Sequence, residues 1–149
     1  MKELIGRTII SILVSDSEIT FVTETGKVSL RVSGDCCSNS YFYEISDFNK
    51  VKDKPIVSVE EIDLDVEKGT ENRGIKYPEY IQSYGFRINA QSSSTELKEG
   101  VSVDISNSML VVFRNNSNGY YGGYCGATDE HLELGGEGVT EVKDSWITE

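Results

Sequence analysis

Histidine is almost absent from this chain, and cysteine is scarce. His131 is the single histidine among 149 residues, and the three cysteines are Cys36, Cys37 and Cys125. A structural zinc site usually contains two ligands separated by roughly two to four residues, and no pair here has that spacing. A disulfide between adjacent cysteines would be strained, so Cys36 and Cys37 are expected to be free thiols. The sequence therefore predicts no metal site and no cofactor.

The sequence patterns that support nucleophilic catalysis are also missing. No Gly-x-Ser-x-Gly sequence occurs, and His131, the one candidate imidazole base, lies in an acidic segment. A pair formed by His131 with Cys37 or Cys125 is the enzymatic alternative that stays open, because a thiol beside a base can act as a nucleophile. We expect a protein that is not an enzyme.

Long apolar runs are missing as well. No stretch approaches the roughly 20 apolar residues that a transmembrane helix needs. Residues 1–6 contain neither a long apolar segment nor a small-residue cleavage site, so no secretory leader is expected. Cytosolic thiols are usually reduced, which agrees with free cysteines. We expect the chain to stay in the cytoplasm.

Basic residues are too few to balance the acidic ones. Lys and Arg total 14 against 25 Asp and Glu, so the net charge is −11. Such a surface repels phosphates and anionic lipid headgroups, and direct binding to nucleic acid or membrane is not expected. An acidic surface can instead attract basic protein surfaces, including those that hold nucleic acid. The alternative is that the charge only keeps the protein soluble.

What the sequence has in abundance is the pattern of β-strands. Ile10, Ile12 and Val14 are predicted to share one face of a strand at 9–14, Ile19 and Phe21 share one face at 18–23, and apolar and polar residues alternate cleanly at 27–32. Turn residues occupy 15–17 and 24–26. Three short strands with tight links predict an antiparallel meander.

The remaining strands are predicted at 41–45, 56–66, 80–90, 101–105 and 109–114, with a short helical turn capped by Ser46 or Asp47 and ending near Lys52. These elements predict a mainly β fold with few short helices, built as an antiparallel sheet or small β-sandwich. Residues 1–149 are expected to form one domain whose C-terminal segment, from about residue 129, is acidic. Trp146 indicates that this segment docks on its own fold or on a partner.

Residues 115–126 combine several glycines with three tyrosines. Tyr120, Tyr121 and Tyr124, with Asn118, offer flat faces and hydrogen-bonding groups suited to a base, a sugar or a partner protein. The alternative is a bent strand whose tyrosines pack on a neighbouring sheet. If a ligand carries phosphate, the guanidinium groups that we expect to bind it are those of Arg87 and Arg114.

A row of carboxylates lies along the strand predicted at 56–66 and continues just beyond it. Glu61, Asp63, Asp65 and Glu67 alternate with apolar residues and so predict one acidic strand face. We expect this face to be an interaction surface, and the alternative is a solvated face without a partner. The spacing of a calcium-binding EF-hand loop is missing, and a glycosidase-like pair of carboxylates is not indicated.

Several short motifs resemble those of one family. They are Leu-Ile-Gly-Arg-Thr-Ile at 4–9, Glu-Ile-Thr-Phe at 18–21, Gly-Asp-Cys-Cys-Ser at 34–38, Lys-Pro-Ile at 54–56 and Asn-Ser-Asn-Gly-Tyr-Tyr at 116–121. In combination they resemble an uncharacterised family of small proteins found mostly in bacteriophages and prophages. The resemblance covers roughly residues 4–66 and 108–124, and it implies a phage or prophage setting without an activity.

Two functions of different classes are therefore expected. The first is a non-catalytic phage accessory protein that counters host defence, in the bacterial cytoplasm, by placing its acidic surface on a basic, nucleic-acid-handling site of a host protein. The second is a homo-oligomer that binds and sequesters a small nucleotide signal through the tyrosine-rich segment and the two arginines. A structural role in the virion is a further alternative.

Overall fold

The computed structural model describes residues 2–34, 39–68, 80–91, 107–117 and 123–148, which form two five-stranded sheets. All strand pairs in both sheets are antiparallel. The strands are β1 (Ile9–Val14), β2 (Glu18–Thr23), β3 (Gly26–Gly34), β4 (Asn39–Ser46), β5 (Ile56–Lys68), β6 (Tyr80–Ala90), β7 (Ser108–Ser117), β8 (Gly123–Thr128), β9 (Thr140–Glu141) and β10 (Trp146–Ile147).

The first sheet has the order β8-β3-β2-β1-β9 and contains the predicted meander. Ile19 of β2 pairs with Val14 of β1 on one side and with Leu30 of β3 on the other. Alternate residues of these strands point into the core, because successive side chains of a strand lie on opposite faces. All three predicted strands are confirmed. In β1 the predicted shared face of Ile10, Ile12 and Val14 is wrong at Ile10, because a register shift between Ile9 and Ser11 leaves Ile10 44% exposed and places Ile9 in the core.

The second sheet has the order β10-β4-β7-β6-β5, so β5 lies at one end of the strands that the structure describes. β7 lies at the centre, where Phe113 pairs with Phe42 of β4 and with Tyr84 of β6. The strands predicted at 56–66, 80–90 and 109–114 are confirmed, and the structure extends the first to Lys68 and the last to Ser117. The strand predicted at 101–105 lies outside the described residues.

The core lies between the two sheets as one continuous cluster of apolar side chains. Fully buried members come from both sheets, among them Ile12, Ile19 and Phe21 of the first and Phe42, Ile88 and Met109 of the second. This arrangement is a small β-sandwich, as the sequence predicts. Among the described residues, no helix has the length and apolar character required to cross a membrane.

The acidic C-terminal segment is built into both sheets. β9 pairs with β1, and Val142 just after it is only 4% exposed within the core. β10 then pairs with β4, where Trp146 lies opposite Ile45 and packs against the core. Trp146 indicated that the segment docks either on its own fold or on a partner. The structure shows the first of these, because Trp146 packs on the protein's own core.

The short helical turn differs from its prediction. It is a 3₁₀ turn at Phe48–Lys50, and Asp47 before it has a left-handed backbone with φ of 65° and makes no side-chain capping bond. The C-terminal segment supplies the missing acceptors instead. Phe48 N–H donates to the carbonyl of Asp144 at 2.9 Å, and Asn49 N–H donates to its carboxylate at 3.0 Å. Sequence-local capping rules could not find a cap that lies more than ninety residues away.

Candidate functional site

A cleft opens between the two sheets at the side where β8 and β3 face β5 and β6. Its volume is about 540 Å³, and its described lining combines apolar side chains with two charged ones. Phe86 forms part of the second sheet's wall and Leu30 part of the first sheet's wall, while Lys2 and Glu61 provide charges at the exposed mouth. The remaining lining residues are Val59, Cys125, Gly126 and Ala127. This volume and lining suit a few side chains of a partner or a small amphipathic molecule.

An aromatic recess continues the cleft. A second cavity of about 230 Å³ shares Glu61, Phe86 and Cys125 with the first and adds Tyr84 and Phe113. The ring of Phe113 stacks on Tyr84 at 5.1 Å between centroids and on Phe86 at 5.9 Å. Because these rings are held on two adjacent strands, the recess is a preformed apolar surface.

Cys125 lies in the wall of both cavities. Burial raises the pKa of its thiol to about 12, and the negative charge of Glu61 adds to the increase. The thiol is therefore protonated at neutral pH, and a protonated thiol is a poor nucleophile.

The structure also separates Cys125 from His131. Cys125 pairs with the core residue Val32 and packs against the core, whereas His131 is bonded on the opposite face of the first sheet. The catalytic alternative that joins these two residues is thus wrong for Cys125, and Cys37 lies outside the described residues.

The shifted pKa of Cys125 makes stability depend on alkaline pH. The unfolded chain loses the thiol proton above its ordinary pKa of roughly 8.5, while the folded chain keeps it up to a pKa of about 12. The free energy of unfolding should therefore fall between pH 9 and 12, by up to about 1.4 kcal/mol per pH unit from this group. The effect is measured as the difference in the free energy of unfolding between wild type and Cys125→Ala, obtained by urea unfolding at several pH values in this range. If this difference stayed constant with pH, the prediction would be contradicted.

Arg114 lies on the outer face of the second sheet, over an aromatic ring. Its guanidinium carbon is 3.6 Å from the centroid of the Tyr43 ring, which fixes the cation on the ring face. The Nε atom is buried and has no hydrogen-bond partner within the described part of the chain. A buried donor without an acceptor is rare in folded proteins, so Arg114 is a candidate contact for an acceptor that the described residues do not supply.

Arg87, the other predicted phosphate contact, is not brought beside Arg114. It pairs with Leu110 on β7, four positions before Arg114, which corresponds to about 13 Å along the strand. Its Nη1 atom is 3.8 Å from the Glu60 carboxylate, and about half of each side chain is exposed. Arg87 therefore belongs to a weak surface ion pair.

The other predicted site residues are only partly described. Asn118, Tyr120 and Tyr121 lie outside the described residues, as do Cys36 and Cys37. Tyr124 belongs to β8, where it pairs with Ser33.

The predicted acidic row begins at Glu61, which is exposed at the mouth of the cleft. Asp63, Asp65 and Glu67 belong to β5, where Asp63 pairs with Tyr84 and Glu67 with Ile81. A register shift between Asp63 and Val66 interrupts the regular alternation on which the prediction of one acidic face rests.

On the outer face of the first sheet lies a row of hydrogen-bonded polar side chains that the sequence patterns do not predict. Ser29 Oγ lies 2.6 Å from His131 Nδ1 and 2.7 Å from Thr20 Oγ1, and Leu132 N–H donates to Thr20 Oγ1 at 2.9 Å. Thr20 and Ser29 are almost fully buried. These bonds fasten residues 131–132 to the sheet, because breaking them would leave buried hydroxyls unsatisfied. In the sequence, the one sign of this site is the single histidine. Its partner Ser29 becomes apparent only in the folded sheet, where β2 pairs with β3.

An ion-pair network continues this attachment. Arg31 donates to Glu18 at 2.8 Å and to Glu130 at 2.7 Å, and Glu130 is 73% exposed. Both carboxylates raise the pKa of the Arg31 guanidinium. Residues 130–132 are therefore attached to the first sheet, and the exposed carboxylates of Asp129, Glu133 and Glu137 flank this attachment. Among the described residues, no cluster of three or more metal-ligating side chains is found.

A family model described as a domain of unknown function, DUF7448, matches residues 2–125, which is 124 of the 149 residues. No curated protein and no solved structure matches the chain. The matched part includes β1 to β7, Arg114, Tyr43 and most of the cleft, and it ends before the acidic segment.

Proposed function

The chain belongs to the DUF7448 family of domains of unknown function, and we propose that it is a non-catalytic accessory protein of a phage or prophage. In this proposal it acts in the cytoplasm of the bacterial host and counters host defence. It does so by occupying a basic surface that a host protein uses to handle nucleic acid.

The observation that carries this proposal is the exposed acidic surface of residues 129–137, which is attached to the first sheet at residues 130–132. Asp129, Glu130, Glu133 and Glu137 are all exposed. The bonds of Glu130, His131 and Leu132 hold the backbone of this part of the segment on the sheet. A segment that is already attached loses less backbone freedom on binding than a disordered acidic tail of equal charge, so it binds a basic surface better.

The overall charge supports the same function. A net charge of −11 on 149 residues gives long-range attraction to a basic partner and repulsion from nucleic acid. Such a protein competes with nucleic acid for a basic site by imitating the negative charge of phosphates. The phage setting rests on the resemblance of the motifs at 4–9, 34–38 and 116–121.

The test begins with capture of the host partner by the tagged protein from bacterial lysate, followed by native mass spectrometry. With the identified partner, we expect the variant Glu130→Gln/Glu133→Gln/Glu137→Gln to bind about tenfold more weakly, and the complex to dissociate as salt rises to about 1 M. The matched control Asp16→Asn/Asp47→Asn/Asp53→Asn removes three charges elsewhere, and asparagine tolerates the left-handed backbone of Asp47 and Asp53. Equal loss in both variants, or binding insensitive to salt, would refute the proposal.

A second candidate function is supported by Arg114. A buried guanidinium Nε that has no partner among the described residues, on a side chain stacked over Tyr43, is suited to an anionic, planar ligand such as a nucleotide. In that case the protein sequesters a nucleotide signal as a homo-oligomer. Calorimetric titration with a panel of mononucleotides and cyclic dinucleotides tests this. Binding that Arg114→Lys weakens at least tenfold and Arg87→Lys leaves within twofold would support it, because lysine cannot replace the planar fork.

A further inference from the structure

The exposed edge of β5 has no strand partner among the described residues beyond its first position. Ile56 accepts from Gly6 N–H and donates to the carbonyl of Arg7, both at 2.8 Å, and β6 covers the other side of the strand. From Val57 onward the strand ends the second sheet. A long unpaired edge exposes backbone donors and acceptors that can bind a further strand.

The cleft between the two sheets lies directly beside this edge. Val59 and Glu61 pair with Ile88 and Phe86, so they lie on the inner face of the sheet and line the wall of the cleft. A strand added to β5 would continue the second sheet across the mouth of the cleft. Every second side chain of that strand would then enter the cleft towards Cys125 and Ala127.

Charge determines which strand can bind there. β5 carries five carboxylates and one lysine, and Glu60 and Glu61 are exposed at its start. A second copy of β5 pairing with the first would bring these carboxylates together, which is unfavourable. A basic segment is favoured instead, because it is attracted by these carboxylates. Lys2 at the mouth of the cleft opposes this attraction with one positive charge. The pattern that fits both the edge and the cleft alternates Lys or Arg with apolar residues.

We propose that the edge of β5 and the cleft beside it bind an extended segment of the partner protein, in which basic and apolar residues alternate, as an added strand. This inference rests on the proposed function, since it assigns the docking mode of the same basic partner. Main-chain hydrogen bonds supply affinity in strand addition, and alternate side chains supply specificity.

The test uses an acetylated ten-residue peptide of alternating lysine and valine, with amide hydrogen exchange and fluorescence polarisation as readouts. We expect the peptide to slow exchange at the edge amides of 57–62, and Glu60→Gln/Glu61→Gln to weaken binding at least fivefold. The control Asp16→Asn/Asp53→Asn should change binding less than twofold. Two further peptides carry N-methyl groups on every second backbone nitrogen, one on the odd and one on the even positions, and both keep all side-chain charges. Alternate amides of an added strand point to the sheet edge, so one of these two peptides should lose at least tenfold in affinity.

Four outcomes would overturn the inference. They are protection on β8 instead of β5, equal binding of both methylated peptides, concentration-dependent protection of β5 by a second copy, and protection of β5 by the chain's own residues in the free monomer. The proposed function fails separately. If the host partner binds and depends on Glu130, Glu133 and Glu137 but leaves the β5 amides unprotected, only the docking mode is wrong.

Discussion

A chain that ends at residue 139 is expected to lose its cooperative fold. The deletion removes β9 and β10, which pair with β1 of one sheet and β4 of the other. It also removes the buried Val142 and the Asp144 acceptors of the 3₁₀ turn. Burying Val142 alone is worth roughly 1.5–3 kcal/mol, and the partly buried Trp146 adds to this, against a total stability of about 5–15 kcal/mol for a domain. Circular dichroism during thermal and urea unfolding measures the loss.

The control for this prediction keeps the segment and changes only its charge. Glu133 and Glu137 are exposed, so Glu133→Gln/Glu137→Gln should unfold within a few degrees of wild type, roughly the shift expected for surface substitutions. A truncated chain with an unchanged unfolding midpoint would show that the segment adds nothing to the fold. Because truncation should destroy the structure, only substitutions can test the role of the acidic charge in binding.

Phe113→Ala is expected to lower the free energy of unfolding by about 3–5 kcal/mol. Phe113 is 4% exposed at the centre of the second sheet, and its ring contacts those of Phe42, Tyr84 and Phe86 at 5.1–6.3 Å between centroids. Alanine removes the ring from all three contacts and leaves a cavity beside the aromatic recess. Urea unfolding followed by circular dichroism gives the change.

Phe113→Leu provides the matched comparison. Leucine keeps an apolar side chain of moderate volume, so its cost should be clearly smaller than that of alanine. If both variants lost less than about 1 kcal/mol, the aromatic cluster would not be a packed part of the core. Loss of peptide binding by Phe113→Ala at retained stability would instead connect the recess to the docking site.

The site residues were predicted only in part. Arg114 was predicted as a phosphate contact from its residue type, and the structure places it on Tyr43 with an Nε that no described residue bonds. The cleft was not predicted, because Leu30, Phe86 and Cys125 come from three strands that are distant in sequence. A pattern within one strand shows which residues share a face, but it does not show what that face meets.

The sequence by itself determined the strands β1 to β7, the meander of β1 to β3 and the mainly β class, because alternation and turn residues act between near neighbours. It also determined the net charge of −11. Only the tertiary structure decided that the acidic segment pairs with both sheets, that His131 bonds Ser29, and that β5 is left at an edge beside a cleft. These features depend on contacts between residues far apart in the chain, and such contacts leave no local period in the sequence.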